Sequence, residues 1–164
     1  AKKEIKAEGG HIIDRVMKEF TNIPILLILG CFLFYFLGGY LFYSAMFGAV
    51  GAAVDNETDT QQFLLPVMMP LIIAFIAFQA VLREPDGAVA FWMSIIPFTS
   101  PIIMMVRIPF GGVAAWELIL SMVLLVLGVI GITWVAARIY RVGILMYGKK
   151  VNFKEIGKWI FYKS

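Results

Sequence analysis

Of the 164 residues, 61% are hydrophobic and only 15% charged, with a formal net charge of +3. Soluble domains average about a quarter charged residues, so this composition excludes an ordinary soluble domain and points to an integral membrane protein. One cysteine, Cys31, excludes an intrachain disulfide, and one histidine, His11, excludes a histidine-rich metal site.

The chain opens on Ala1 with no secretory leader pattern and reads as a piece of a longer protein. Residues 1–22 form an amphipathic, non-spanning segment. Ile12, Ile13, Val16, Met17 and Phe20 share one helical stripe, and Asp14, Arg15, Lys18 and Glu19 lie on the other face. The pattern suits a short interfacial helix, either a lateral anchor or a plain connector. Gly9 and Gly10 interrupt any helix that begins earlier.

Residues 23–54 carry no Asp, Glu, Lys or Arg, a run longer than the ~20 residues needed to span the hydrocarbon core. The surplus continues as helix outside that core. In its second half, Ser44, Gly48 and Ala52 recur at four-residue spacing, with Ala45, Ala49 and Ala53 beside them. Two small-residue stripes of this kind let another helix approach closely, either within the chain or across a dimer seam. Tyr35, Tyr40 and Tyr43 are too spread for one aromatic belt, so some of them must make protein contacts.

DNETDTQQ, residues 55–62, is the sharpest change of composition. It separates the first span from a second at residues 63–82, where Pro66 suits the beginning of a helix and Pro70 predicts a kink. REPDG, residues 83–87, is a turn at the far end. Residues 88–106 are again uncharged, but Pro97 and Pro101 oppose one continuous helix, and Arg107 closes the run. A final span covers residues 118–137. Seven Lys or Arg against one Glu follow between Arg138 and Lys163, and short basic flanks stay cytoplasmic. Residues 141–164 therefore read as a basic cytoplasmic tail. Asn152 and Glu155 have capping-box spacing there, ahead of a second interfacial helix with Phe153, Ile156 and Ile160 on one face.

Little in the chain suggests catalysis. GILMYGKK, residues 143–150, nearly matches a phosphate loop, but Lys150 replaces the magnesium-binding hydroxyl residue and no strand precedes it. His11 and Cys31 have no adjacent catalytic partner, and paired carboxylates occur only in loops. No ionisable residue lies within the four apolar runs, whereas ion-coupled carriers place such groups inside the membrane. The energy for uphill transport would then come from elsewhere.

FGAVGAAVDNETDTQQFLLPVMMP, IIPFTSPIIMMVRIPFG and AARIYRVGILMYGKK together resemble the C-terminal half of the ABC-2 type permeases, specifically the sodium-exporter-like NatB branch. The resemblance implies an all-α polytopic membrane protein. Residues 23–140 would then be the C-terminal half of a six-span domain, with three transmembrane helices and an outer-leaflet re-entrant helical hairpin between the fifth and sixth spans. The re-entrant motif is Pro97, Phe98, Thr99, Ser100 and Pro101, followed by Arg107. Charge bias mildly prefers four full crossings; the proline pair and the resemblance favour three.

The resemblance further implies the permease subunit of an ATP-driven exporter in a bacterial inner membrane, with sodium among the candidate cargoes and the C-terminus cytoplasmic. It carries no enzyme active site and no cofactor of its own, since ATP is bound by a partner ATPase. A second permease copy and membrane lipids complete the implied partners, with no role for nucleic acid. Asp55, Glu57, Asp59, Gln61 and Gln62 are the candidate ATPase-coupling residues, and Ser44, Gly48 and Ala52 the candidate helix-packing residues. The alternative is a non-transport membrane scaffold or assembly subunit. If the proline motif is the tip of a shallow hairpin, Trp92 and Arg107 should both lie near the outer interface, with Arg107 attracting anionic headgroups, closing an outer exit or serving as an ordinary interfacial anchor.

Overall fold

The computed structural model describes residues 25–54, 57–143 and 157. The amphipathic segment 1–22, Asp55, the near-phosphate-loop after Gly143 and the Asn152–Glu155 capping box lie outside the described residues. The described chain is helical, with α1 at Ile25–Ala53, α2 at Glu57–Arg83, α3 at Ala88–Ile95, α4 at Ser100–Arg107 and α5 at Ala115–Gly143. A 3₁₀ turn at Ile108–Phe110 follows α4. Within these, three helices are long and apolar enough to cross a membrane, at Ile25–Ala53, Thr60–Arg83 and Ala115–Val142. At 29 residues each, α1 and α5 extend to roughly 44 Å, well beyond a ~30 Å hydrocarbon core.

Core contacts set the direction of each span. Cys31 and Tyr35 of α1 pack with Leu118, Met122 and Leu125 of α5, whereas Ala49 and Ala53 pack with Val135 and Ile139. Early residues meet early residues and late meet late, so α1 and α5 run parallel. The first two thus need a returning helix between them, and α2 supplies it. The end of the bundle holding residues 53, 54, 57 and 139–143 is the tail end, and the other the hairpin end.

Ala49 and Ala53, both buried, carry the α1–α5 contact at the tail end. Of the adjacent register, Ser44 and Gly48 are exposed and Ala52 is half-buried. Small residues thus serve the internal seam one position away from the stripe named for packing. Buried positions on α2 are Phe63, Val67, Ala74, Ala77 and Val81, a near-heptad series that keeps one narrow side of the helix on its neighbours. Large apolar side chains such as Leu26, Phe75, Ile76 and Ile119 cover the outer faces, as a lipid-facing surface requires.

Helix α2 begins at Glu57 and continues through Pro66 and Pro70, which corrects the expectation that Pro66 marks a helix start. The acidic segment is largely the first turns of α2, where carboxylates complement the positive end of the helix dipole.

Two glycines let the short helices enter between the spans. A Cβ on Gly39 would stand 3.0 Å from Pro101 Cβ, and one on Gly128 would stand 3.0 Å from Pro97 Cβ and 3.1 Å from Phe42 Cε2. Gly131, one turn away on α5, has nothing within 4 Å of a built Cβ. Gly128→Leu should therefore overpack the contact and destabilise by about 1–3 kcal/mol relative to Gly131→Leu, which has the same gain in helix propensity. Unfolding of the full-length protein in mild detergent measures the difference; equal stability of the two variants would remove the close contact from the account.

Candidate functional site

Between α2 and α5 the chain enters the bundle as α3, reverses over residues 96–99, and returns as α4. The reversal follows from the prolines. Pro97 has no N–H to continue α3, while Pro101 occupies the first turn of α4, where a missing donor costs nothing. Backbone bonds close the turn: Thr99 N and Ser100 N donate to Ile96 O at 3.0 and 2.8 Å, and Ile103 N donates to Thr99 O at 3.0 Å.

Side chains satisfy what the backbone leaves over. The Thr99 hydroxyl donates to Met93 O at 2.5 Å, taking up a carbonyl at the end of α3. Tyr43 of α1 donates its phenol to Phe98 O at 2.6 Å, and the Phe98 ring meets Phe42 edge-to-face at 4.9 Å. Thr99 thus satisfies a freed backbone group, whereas the buried Ser100 hydroxyl has no hydrogen-bond partner. Of the three tyrosines, Tyr35 and Tyr43 make protein contacts and Tyr40 is exposed.

The open end of the hairpin is fastened by Arg107. Its Nε donates to Pro85 O at 2.7 Å and its Nη1 to Ser94 Oγ at 2.7 Å. Nη1 also lies 2.9 Å from Glu117 Oε2, an ion pair by distance without hydrogen-bond alignment. Asp86 stands farther off, at 3.9 Å, with an exposed side chain. Ser94 in turn donates to Phe91 O at 2.8 Å, and Ser121 of α5 donates to Ser94 O at 2.6 Å. One guanidinium thereby joins the entry to α3, α3 itself, the end of α4 and the start of α5.

This geometry excludes a single crossing through residues 88–107. Ser94 and Arg107 are thirteen positions apart, roughly 20 Å in a straight helix, yet their side chains hydrogen-bond. The hairpin nevertheless differs from the sequence expectation in two respects. Its tip is deep: Pro97 packs on Gly128, eleven residues beyond Glu117, which corresponds to roughly 16 Å, about half a hydrocarbon core. An eight-residue helix plus its turn has that reach. Arg107 is also only 2% exposed, so it is no interfacial anchor. Apolar surroundings leave a cation no water, and Glu117 with two hydrogen-bond acceptors, Pro85 O and Ser94 Oγ, takes its place. Trp92 is exposed, beside Phe91 and near Trp116, a cluster suited to a membrane boundary.

The structure brings together Pro97, Phe98, Thr99, Ser100, Pro101 and Arg107 within the hairpin. It keeps them apart from Glu57, Asp59, Gln61 and Gln62, which begin α2 at the tail end; Gln61 and Gln62 are exposed. Sequence reasoning missed Ser94, Glu117 and Ser121, and it offered Tyr43 as a protein contact without its partner. Glu117 carried a signal, because it is the sole acid between Asp86 and Glu155. Among the described residues, no group of three or more His, Cys, Asp or Glu could hold a metal ion. The arrangement is a structural lock, with no nucleophile placed beside a base.

The chain belongs to the ABC-2 transporter family: residues 11–138 match the model of the "ABC-2 family transporter protein" family. It is 30% identical over 122 residues to the uncharacterized protein YhaP of Bacillus subtilis (strain 168), covering 74% of this chain and 29% of that one. It is 25% identical over 131 residues to the uncharacterized protein MJ1024 of Methanocaldococcus jannaschii, covering 80% of this chain and 32% of that one. The chain thus spans about a third of the length of the curated relatives it matches. No solved structure matches it.

Arg107→Leu should strand Glu117, which is 13% exposed, and destabilise the protein by about 3 kcal/mol. Adding Glu117→Leu should recover a substantial part of that loss, because the double variant leaves no buried charge unpaired. A double-mutant cycle on detergent unfolding measures the coupling. Additive effects would mean that the pair contributes nothing to holding the hairpin.

Proposed function

We propose that this chain is the C-terminal half of the permease subunit of an ATP-driven ABC exporter, with the hairpin in the outer half of the membrane and the tail end in the cytoplasm. The observation that carries the reading is the re-entrant hairpin, wedged between spans at the end opposite the basic tail. Its orientation rests on the seven Lys or Arg from Arg138 to Lys163, because basic flanks are retained inside. The NatB-like branch is favoured by the PFTSP motif followed by an apolar run and arginine.

In this reading the start of α2, with Glu57, Asp59, Gln61 and Gln62, faces the ATPase together with Asp55. Motion there is carried along α1 and α2 to the hairpin, whose tip packs against the midpoints of α1 and α5. The uncharged interior of the spans suits a permease driven by a partner's ATP hydrolysis rather than by a coupling ion.

Two measurements test the proposal on the full-length protein. In intact cells, Asp86→Cys should react with a membrane-impermeant maleimide from outside and Asn152→Cys only after permeabilisation, with buried Cys31 as background. Reaction of both from one side would overturn the topology. Purification in mild detergent should retain an ATPase whose turnover the permease stimulates, and charge reversal at Asp55, Glu57 and Asp59 should release it. A stable complex with other membrane proteins and no ATPase would support the scaffold reading.

A further inference from the structure

Toward the tail end, one side of the α1–α5 pair holds an open groove of about 760 Å³, within the ~300–1,000 Å³ typical of ligand sites. Its floor is Ala45 and Gly48 of α1 with Ala136 and Ala137 of α5, and its far end is Thr133. A Cβ on Gly48 would meet nothing within 4 Å, so that glycine is not required by packing inside the chain. Tyr140 and Arg141 form the mouth, and both are exposed.

The placement of the cation selects the ligand. Arg141 lies thirteen residues beyond Gly128, the level reached by the hairpin tip, or roughly 20 Å along α5. Half a hydrocarbon core is ~15 Å, so Arg141 stands at headgroup depth, with the eight-residue, roughly 12 Å stretch back to Thr133 running into the acyl region. An apolar trough open at one end onto a guanidinium and a phenol matches an acyl chain joined to an anionic phosphate. Arg138 faces elsewhere, its guanidinium 4.3 Å from the centre of the Trp134 ring.

We propose that the groove between α1 and α5 binds an anionic phospholipid, one acyl chain lying over Gly48 and Ala137 and the phosphate held by Arg141. Basic pockets between membrane helices are suited to such headgroups. The site depends on the three spans crossing the membrane and not on an ATPase partner, so it stands or falls separately from the exporter reading.

The test uses the full-length protein in mild detergent with a diazirine-bearing phosphatidylglycerol as probe. Labelling should map to the peptides containing residues 45–48 and 133–141 and be competed by phosphatidylglycerol but not by phosphatidylcholine or soluble glycerol phosphate. Arg141→Gln should weaken competition about fivefold, Arg141→Lys should restore most of it, and Ala137→Trp should abolish labelling of the groove by filling it. Detergent melting profiles of the variants verify that each is folded. Equal competition by the two lipids, or labelling indifferent to Arg141→Gln, would overturn the proposal. So would a photoreactive leucine at position 48 that crosslinks to a protein segment rather than to lipid, which would assign the groove to a helix of the remaining chain or of a second copy.

Discussion

Arg107 is the interaction on which the hairpin depends. Helices of eight residues are too short to persist on their own, and a backbone that turns back inside an apolar bundle has no water to satisfy its polar groups. A cation in the same place is costly unless paired. The structure meets the three demands together: the guanidinium takes up Pro85 O, Ser94 Oγ and the Glu117 carboxylate, and each of those acceptors belongs to a different part of the segment that must be held. The charge that makes the region unfavourable in lipid is thus the same charge that fastens it.

The tip is held by different means, because no charge reaches it. Gly39 and Gly128 give Pro101 and Pro97 room at the midpoints of two parallel helices, and Tyr43 supplies the one long polar reach, to Phe98 O. Close packing and a single buried hydrogen bond are specific about distance but weak about charge. The base of the hairpin is therefore electrostatically locked while its tip is sterically gauged, and any sliding of α1 against α5 would be felt at the tip first.

Much of the architecture was legible in the sequence because it follows from local properties. Uncharged runs mark the spans, and Pro97 and Pro101 deny a continuous helix whatever surrounds them. The parts that were not legible depend on pairing across the chain. Tyr43 and Phe98 are 55 positions apart, and nothing near Tyr43 announces a turn that needs a donor. The start of α2 was placed late because an acidic, polar stretch reads as loop by composition, although its carboxylates favour a helix N-terminus. Arg107 reads as an interfacial anchor by habit of its residue type; only the fold brings Glu117 and Ser94 to it. The small-residue stripes show the same limit: periodicity offered both registers on α1, and contact with Ile139 and Val135 engages Ala49 and Ala53 while leaving Ser44 and Gly48 outward.

That division of α1 into two small-residue faces has a consequence for how the halves of the bundle can move. On the inward face, Ala49 and Ala53 pack against Val135 and Ile139 of α5 at the tail end; toward the hairpin end, Tyr35 and Leu125 pack with Met104 of α4. Alanine packed on β-branched residues is rigid because little side-chain freedom remains to absorb a shift, whereas a long side chain such as Met104 can change rotamer and follow one. The tail end therefore suits transmission of displacement from α1 to α5 as a unit, and the hairpin end suits its conversion into a change of spacing. A wedge seated at the midpoints, between the rigid seam and the adaptable one, stands at the fulcrum.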